Sequence, residues 1–141
     1  MKTLTIRQPW ADAIVHVDHP RWGRKRIENR TWAAPATAIG TRILIHAAKT
    51  GDRRALDAGV MPGPDVRGAI IGTALLAGCH LDSIACKLRG CGPWANPEVY
   101  HWALADVVAL PAPAPAKGAL GLWTPDATTL DAVMRQIEVT A

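Results

Sequence analysis

The sequence predicts an α+β fold: a closed or nearly closed β-barrel of about six strands with short helices covering its ends. Three observations point there. Short runs of alternating or wholly apolar residues recur between clusters of glycine, proline and aspartate, the punctuation of a β-rich chain. Helical signals are confined to a stretch after the first strand, a short one in the middle and one at the C-terminal end. Gly72 and Gly78 interrupt one apolar run where bends or a bulge would curl a sheet toward closure. With 141 residues the chain suits a single domain, 1–141, able to bury most of its apolar surface around one core.

Leu4-Thr5-Ile6-Arg7 alternates as a half-buried first strand. Pro9 then suits the first turn of a helix in which Trp10, Ile14 and Val17 share a face. His19-Pro20-Arg21-Trp22-Gly23 breaks that helix, and Arg26 to Trp32 resumes an extended pattern rich in Ile, Thr and Trp. Arg42 to Ala47 is apolar on both faces, as a central strand is. Thr50 is placed to cap a short helix ending at Gly59, and Met61-Pro62-Gly63-Pro64-Asp65 reads as loop. Ala69 to Ala77 forms the fourth strand, Cys79 to Pro97 a long aperiodic loop, and Tyr100 to Leu110 the fifth strand. Pro111 to Ala116 is a stiff extended connector crossing one end of the barrel. Leu120 to Trp123 completes the strands, and Thr124-Pro125 opens a helix with Leu130, Val133, Met134 and Ile137 on one face.

Hydrophobic residues at 49% and charged residues at 20% exclude a disordered or collagenous chain. A net charge of +4 and a pI near 9.3 favour a polyanionic partner. The basic residues concentrate early: Arg7, Arg21, Arg24, Lys25, Arg26 and Arg30 interleave with Trp10, Trp22 and Trp32. The N-terminal residues carry no apolar signal segment and no run has transmembrane length, so a cytoplasmic protein with no membrane association is expected. Three cysteines, an odd number, fit a reducing compartment.

On a strand running through Gly23 to Trp32, Arg26, Glu28, Arg30 and Trp32 share one face, with Ile27, Asn29 and Thr31 on the other. Lys25 is out of phase with Glu28 and joins it only if the strand starts later or is bulged. Gln8 and Trp10 lie where a strand passes into a helix, and His46 and Lys49 close the third run. These groups together offer hydrogen bonds to a base edge, a stacking surface and cations for phosphate. The alternative for the Arg–Glu face is a structural ion network. His46 is read first as a bonded core residue and second as a proton carrier. Cys79, His80, Cys86, Cys91 and His101 include enough soft ligands for a zinc site, but their spacing fits no common finger. Reduced thiols packed beneath the long loop are the preferred reading, so no metal and no cofactor is assigned.

The segments Leu4 to Ala11, Gly23 to Trp32 and Gly40 to Lys49, in this order and spacing, resemble the ASCH family; Tyr100 to Asp106 and Gly118 to Trp123 resemble the last strands of its bacterial members. The resemblance spans most of residues 2–124. It implies a PUA-like barrel, a fold shared with domains that bind RNA and modified nucleosides, and a cleft lined by Gln8, Trp10, Lys25, Glu28 and Arg30. Some members are hydrolases, among them an amidohydrolase that deacetylates N4-acetylcytidine with a lysine, a threonine and a glutamate. Lys25 matches that lysine, whereas Glu28 stands where the threonine nucleophile would be.

The expected function is therefore nucleic-acid binding, RNA favoured over DNA, in a basic cleft that takes a single-stranded or modified nucleoside. Arg7, Gln8, Trp10, Arg24, Lys25, Arg26, Glu28, Arg30, Trp32, His46 and Lys49 are the candidate ligand-binding residues, with Trp32 or Trp22 stacking. The alternative is a hydrolase acting on RNA or on a modified nucleoside, with Lys25 and Glu28 as its catalytic pair.

Overall fold

Burial of the alternating apolar positions organises the chain around one sheet. The computed structural model describes residues 1–59 and 63–140. In chain order the elements are β1 (Thr3–Ile6), α1 (Trp10–Val15), β2 (Ile27–Arg30), a 3-10 turn (Ala36–Ala38), β3 (Arg42–Ala47), α2 (Arg53–Asp57), β4 (Ala69–Leu81), α3 (Ile84–Arg89), β5 (Tyr100–Pro115), β6 (Leu122–Trp123) and α4 (Ala127–Thr140). The six strands lie in the order β2-β5-β4-β3-β1-β6. All pairs are antiparallel except β1 with β3, whose parallel register, Leu4 opposite Ile45, is made possible by the long crossover through α1 and β2.

The sheet is curled into a half-barrel and remains open, which corrects the expected closed or nearly closed barrel. Its edges are β2, four residues long, and β6, two residues long, too short to zip the two sides together. The curl comes from register shifts along the long β4–β5 ribbon, between Ile70 and Gly72, Thr73 and Leu75, and Leu76 and Gly78. At Gly72 the backbone of β5 and the Val15 side chain approach so closely that a Cβ would lie 2.9 Å from the Val108 carbonyl oxygen.

Two apolar layers cover the sheet. Ile43 and Ile45 of β3 pack with Leu4, Ile6, Ile71, Leu76 and Trp102 beneath Ala11, Ile14 and Val15 of α1. Leu44, from the alternate position of β3, joins Ile70, Leu110, Ala114 and Val133 on the side covered by α4. Of the expected helical face, Leu130, Val133 and Ile137 pack α4 on the sheet, and Met134 is not among that cluster.

Four local expectations change. Asp52, not Thr50, caps α2, its Oδ1 accepting from the Ala55 N–H. The last helix begins at Ala127 rather than at Thr124-Pro125, with Asp126 before it accepting from the Thr129 N–H. The Pro111–Ala116 connector is the end of β5, where Ala114 pairs with Ile70 and Pro115 with Ala69; alternate residues there need no ladder N–H, so proline is tolerated. The aperiodic stretch from Cys79 is ordered: β4 continues to Leu81, and Ser83 caps α3 by accepting from the Cys86 N–H. Met61 and Pro62 of the expected loop lie outside the described residues. Among the described residues no helix is long and apolar enough to cross a membrane.

Candidate functional site: a tryptophan-walled cleft over a buried lysine

A cleft of about 510 Å³ opens between the end of β1, α1, edge strand β2 and the segment Pro93–Asn96. Its floor is set by where β2 begins. Because pairing with β5 starts at Ile27, Lys25 lies before the strand and escapes its alternation. Its backbone N–H instead donates to the Ala13 carbonyl in α1. The side chain then turns back to Glu28, with Nζ 3.2 Å from Oε1, and also donates to the Ile27 carbonyl. Arg30, two residues along β2 on the same face as Glu28, donates through Nε to Glu28 Oε2 at 3.0 Å and through Nη2 to the Thr5 carbonyl at 2.8 Å.

Lys25 and Glu28 are only 3% and 7% exposed. Burial pushes the Lys25 ammonium below its ordinary value of 10.5, against the attraction and hydrogen bond of Glu28, and the Arg30 charge lowers it further. With Arg7 and Asp52 also at the cleft, three cations face two carboxylates, leaving one net positive charge.

The walls are aromatic. Trp94, almost buried, meets Trp10 edge-on at 6.4 Å and Trp22 edge-on at 5.4 Å. Trp22, 41% exposed, is stacked on His19 at 4.6 Å and offers the most accessible ring. Two of the three indoles are tethered through their N–H groups: Trp94 Nε1 donates to the Trp22 carbonyl, and Trp10 Nε1 to Asp52 Oδ2 at 3.1 Å. That bond is the main reason the Asp52 carboxyl is held below its ordinary range. Asn29 ties the outer wall to β2, donating to the Trp94 carbonyl and accepting from the Asn96 N–H. The arrangement offers aromatic surface for a flat ring, above all at the exposed Trp22, beside a cation and a carboxylate in the same cleft.

The ASCH domain family model matches residues 4–111 of this sequence. The chain belongs to the ASCH family. Two crystal structures of mutant forms of the ZmASCH protein from Zymomonas mobilis share the fold. One has a TM-score of 0.60 at 14% identity, covering 95% of this chain and 96% of that one. The other has a TM-score of 0.59 at 15% identity, covering 95% and 94%. Among curated proteins none matches this sequence.

In this ASCH domain the basic signature segment is divided between the cleft and the scaffold. Arg7, Trp10, Lys25, Glu28 and Arg30 line the cleft. Six other candidates do not. Gln8 is fully buried and spends both ends of its amide on backbone, donating to the Val66 carbonyl and accepting from the Asp12 N–H. Arg26 was placed beside Glu28 by alternation, but it precedes the strand and donates to the Ile14 and Lys25 carbonyls. Trp32 follows β2 and packs edge-on against Trp102 at 4.7 Å, as part of the core. His46 follows Leu44 on the α4 side of β3, where its Nε2 donates to the Ala116 carbonyl at 2.7 Å. Burial lowers its pKa, so it is a neutral core residue there. Arg24 and Lys49 are exposed and outside the cleft lining.

Asp52, Asn29, Pro93, Trp94 and Asn96 line the cleft although sequence reasoning had not assigned them to it. The available signal was Trp94 inside a long aperiodic loop, a setting that favours function, although the sequence reads that tryptophan first as a core or rim anchor.

Proposed function

We propose that this ASCH domain binds single-stranded RNA by taking one unstacked base, or a modified nucleoside, into the tryptophan-walled cleft. The observation that carries the reading is the Lys25–Glu28–Arg30 array sharing one cleft with the Trp10, Trp22 and Trp94 indoles. A volume of about 510 Å³ suits one nucleoside and excludes a duplex. A base stacked beside Trp22 would place its polar edge over Glu28, an acceptor, and Lys25, a donor, so exocyclic groups are discriminated by unpaired partners when they are wrong. Arg7, exposed at the cleft lining, would meet the phosphate. Because Glu28 already neutralises part of the floor, electrostatics contribute less than the early cluster of arginines suggests. For one or two phosphates on a single strand, log affinity should fall against log salt with a slope of about −0.7 to −1.4.

The test is binding of short single-stranded RNA, with DNA and duplex RNA as comparisons. Trp22→Ala removes an exposed ring and should weaken binding by about 1–3 kcal/mol, roughly 5- to 150-fold. Arg7→Ala should reduce the salt slope. Unchanged affinity in both variants would remove the cleft from consideration.

The hydrolase reading retains one specific observation: a lysine with a lowered pKa lies 3.2 Å from a carboxylate, a pairing suited to moving a proton. Incubation of the purified protein with labelled RNA and with N4-acetylcytidine, beside Glu28→Gln, tests it. Turnover that disappears in the variant supports catalysis, and turnover equal in both belongs elsewhere.

A further inference from the structure

We infer that His80, Cys86, Cys91 and His101 form a structural zinc site. The two histidines are direct cross-strand partners, His80 of β4 opposite His101 of β5. The cysteines come from the excursion that joins these strands. Cys86 lies on α3, and Gly90 ends that helix at φ 75°, turning the chain so that the Cys91 N–H donates back to the Cys86 carbonyl. Four ligand atoms thereby converge, one from each residue, all within 4.8 Å of one another.

The individual separations match a tetrahedral ion. Zinc–sulfur bonds of ~2.3 Å and zinc–nitrogen bonds of ~2.05 Å at the tetrahedral angle require ligand atoms about 3.3 Å apart for N···N and about 3.6 Å for S···N. Here His80 Nε2 and His101 Nδ1 are 3.2 Å apart, Cys91 Sγ and His80 Nε2 3.5 Å, and Cys86 Sγ and His101 Nδ1 3.6 Å. The outer shell fits as well. His101 Nε2 lies 2.7 Å from the Asn96 carbonyl, which can only accept, so the proton is on Nε2 and the Nδ1 lone pair faces the cluster. Two imidazoles and two thiolates in this geometry select zinc over magnesium or calcium.

A second observation bears on the same cluster. The excursion between β4 and β5 has almost no core of its own: Ile84 is 72% exposed and Leu88 80% exposed. Yet it presents Pro93, Trp94 and Asn96 to the cleft. A metal clip between its two flanking strands and its helix supplies the order that apolar burial does not. Cys79 is excluded, because its sulfur accepts from the Ala34 N–H and packs against the main core. The thiols that sequence spacing assigned to packing under a loop therefore separate into one core cysteine and two ligands.

Binding converts two thiols to thiolates and releases their protons to solvent as Zn²⁺ enters. The test titrates the reduced, metal-free protein with Zn²⁺ and with Co²⁺. The expected result is one equivalent bound, the visible bands of tetrahedral Co²⁺, a near-ultraviolet thiolate-to-cobalt charge-transfer band, and displacement of the cobalt by zinc. Mass mapping after alkylation of the native protein should show Cys86 and Cys91 protected by zinc while Cys79 modification is unchanged. Cys91→Ser should lower bound zinc at least about tenfold, whereas Cys79→Ser keeps the full equivalent. Absence of the charge-transfer band, or protection that does not distinguish Cys79 from Cys86 and Cys91, overturns the assignment. Both readouts use the unmodified sequence, so a variant that fails to fold does not shelter the proposal.

Discussion

Replacing Glu28 by glutamine tests whether the lysine in the cleft floor is held charged by that carboxylate. Glutamine keeps the side-chain length and one oxygen acceptor but removes the charge facing Lys25 at 3.2 Å and Arg30 at 2.9 Å. The side chains of Lys25 and Glu28 are 4% and 9% exposed, so water cannot replace the lost partner for the ammonium. Breaking a buried pair from one side costs about 3–5 kcal/mol. The lysine has an escape: it can enter the fold neutral. From its ordinary value of 10.5, deprotonation at pH 7 costs about 4.8 kcal/mol, which caps the penalty near the same figure.

The sign of the pH dependence follows. A lysine whose folded pKa is depressed binds fewer protons folded than unfolded, so stability rises with pH between the depressed value and 10.5. Removing Glu28 deepens the depression, so the deficit of Glu28→Gln should shrink by up to about 1.4 kcal/mol per pH unit as the pH is raised from 7 toward 9. Denaturant unfolding of both proteins at the two pH values measures this. The double variant Lys25→Met/Glu28→Gln removes the stranded charge and should be more stable than Glu28→Gln at pH 7. A deficit under about 1 kcal/mol at pH 7, or a double variant no more stable than the single one, would refute the reasoning.

Three further perturbations test the scaffold. His46 is buried neutral with its pKa lowered from 6.5, so stability should decline as pH falls from 6.5 toward the lower folded value, by up to about 1.4 kcal/mol per unit; urea unfolding of His46→Gln should show a flatter profile there. Gly72→Ala drives a Cβ to 2.9 Å from the Val108 carbonyl oxygen and from Val15, and because backbone cannot swing aside the cost should be about 1–3 kcal/mol, read as a lower Tm. Asp52→Ala removes both the α2 cap and the partner of the Trp10 indole, and should cost about 0.5–2 kcal/mol while changing tryptophan fluorescence; an unaltered spectrum would mean Trp10 is not anchored by that bond.

Strand positions were legible wherever one face or both had to be apolar. Arg42–Ala47 matches its sequence reading residue for residue, because Ile43, Leu44 and Ile45 put apolar side chains on both faces of a central strand. The glycines at 72 and 78 sit at register shifts, as their missing side chains suggested. Alternation misled at Arg26 and Trp32, since it assumed that extended backbone persists over Gly23 to Trp32. Ile27–Arg30 pair in register with β5, the Arg26 carbonyl adds one bond from the Leu104 N–H, and outside those four residues the Arg26 and Trp32 side chains answer to α1 and to Trp102. The condition stated for Lys25, a strand that starts late, is the one the structure meets.

By itself the sequence determined the family, the α+β class and the concentration of tryptophan and charge near residues 23–32. These depend on local pattern, composition and the spacing of short motifs. Tertiary structure decided which basic residues face a cleft and which are consumed by backbone carbonyls. It also left the sheet an open half-barrel and brought His80, Cys86, Cys91 and His101 to one point. Those outcomes rest on strand register, edge length and a helix-ending turn. Each is set by contacts between residues far apart in the chain, and a one-dimensional pattern does not specify where such contacts begin.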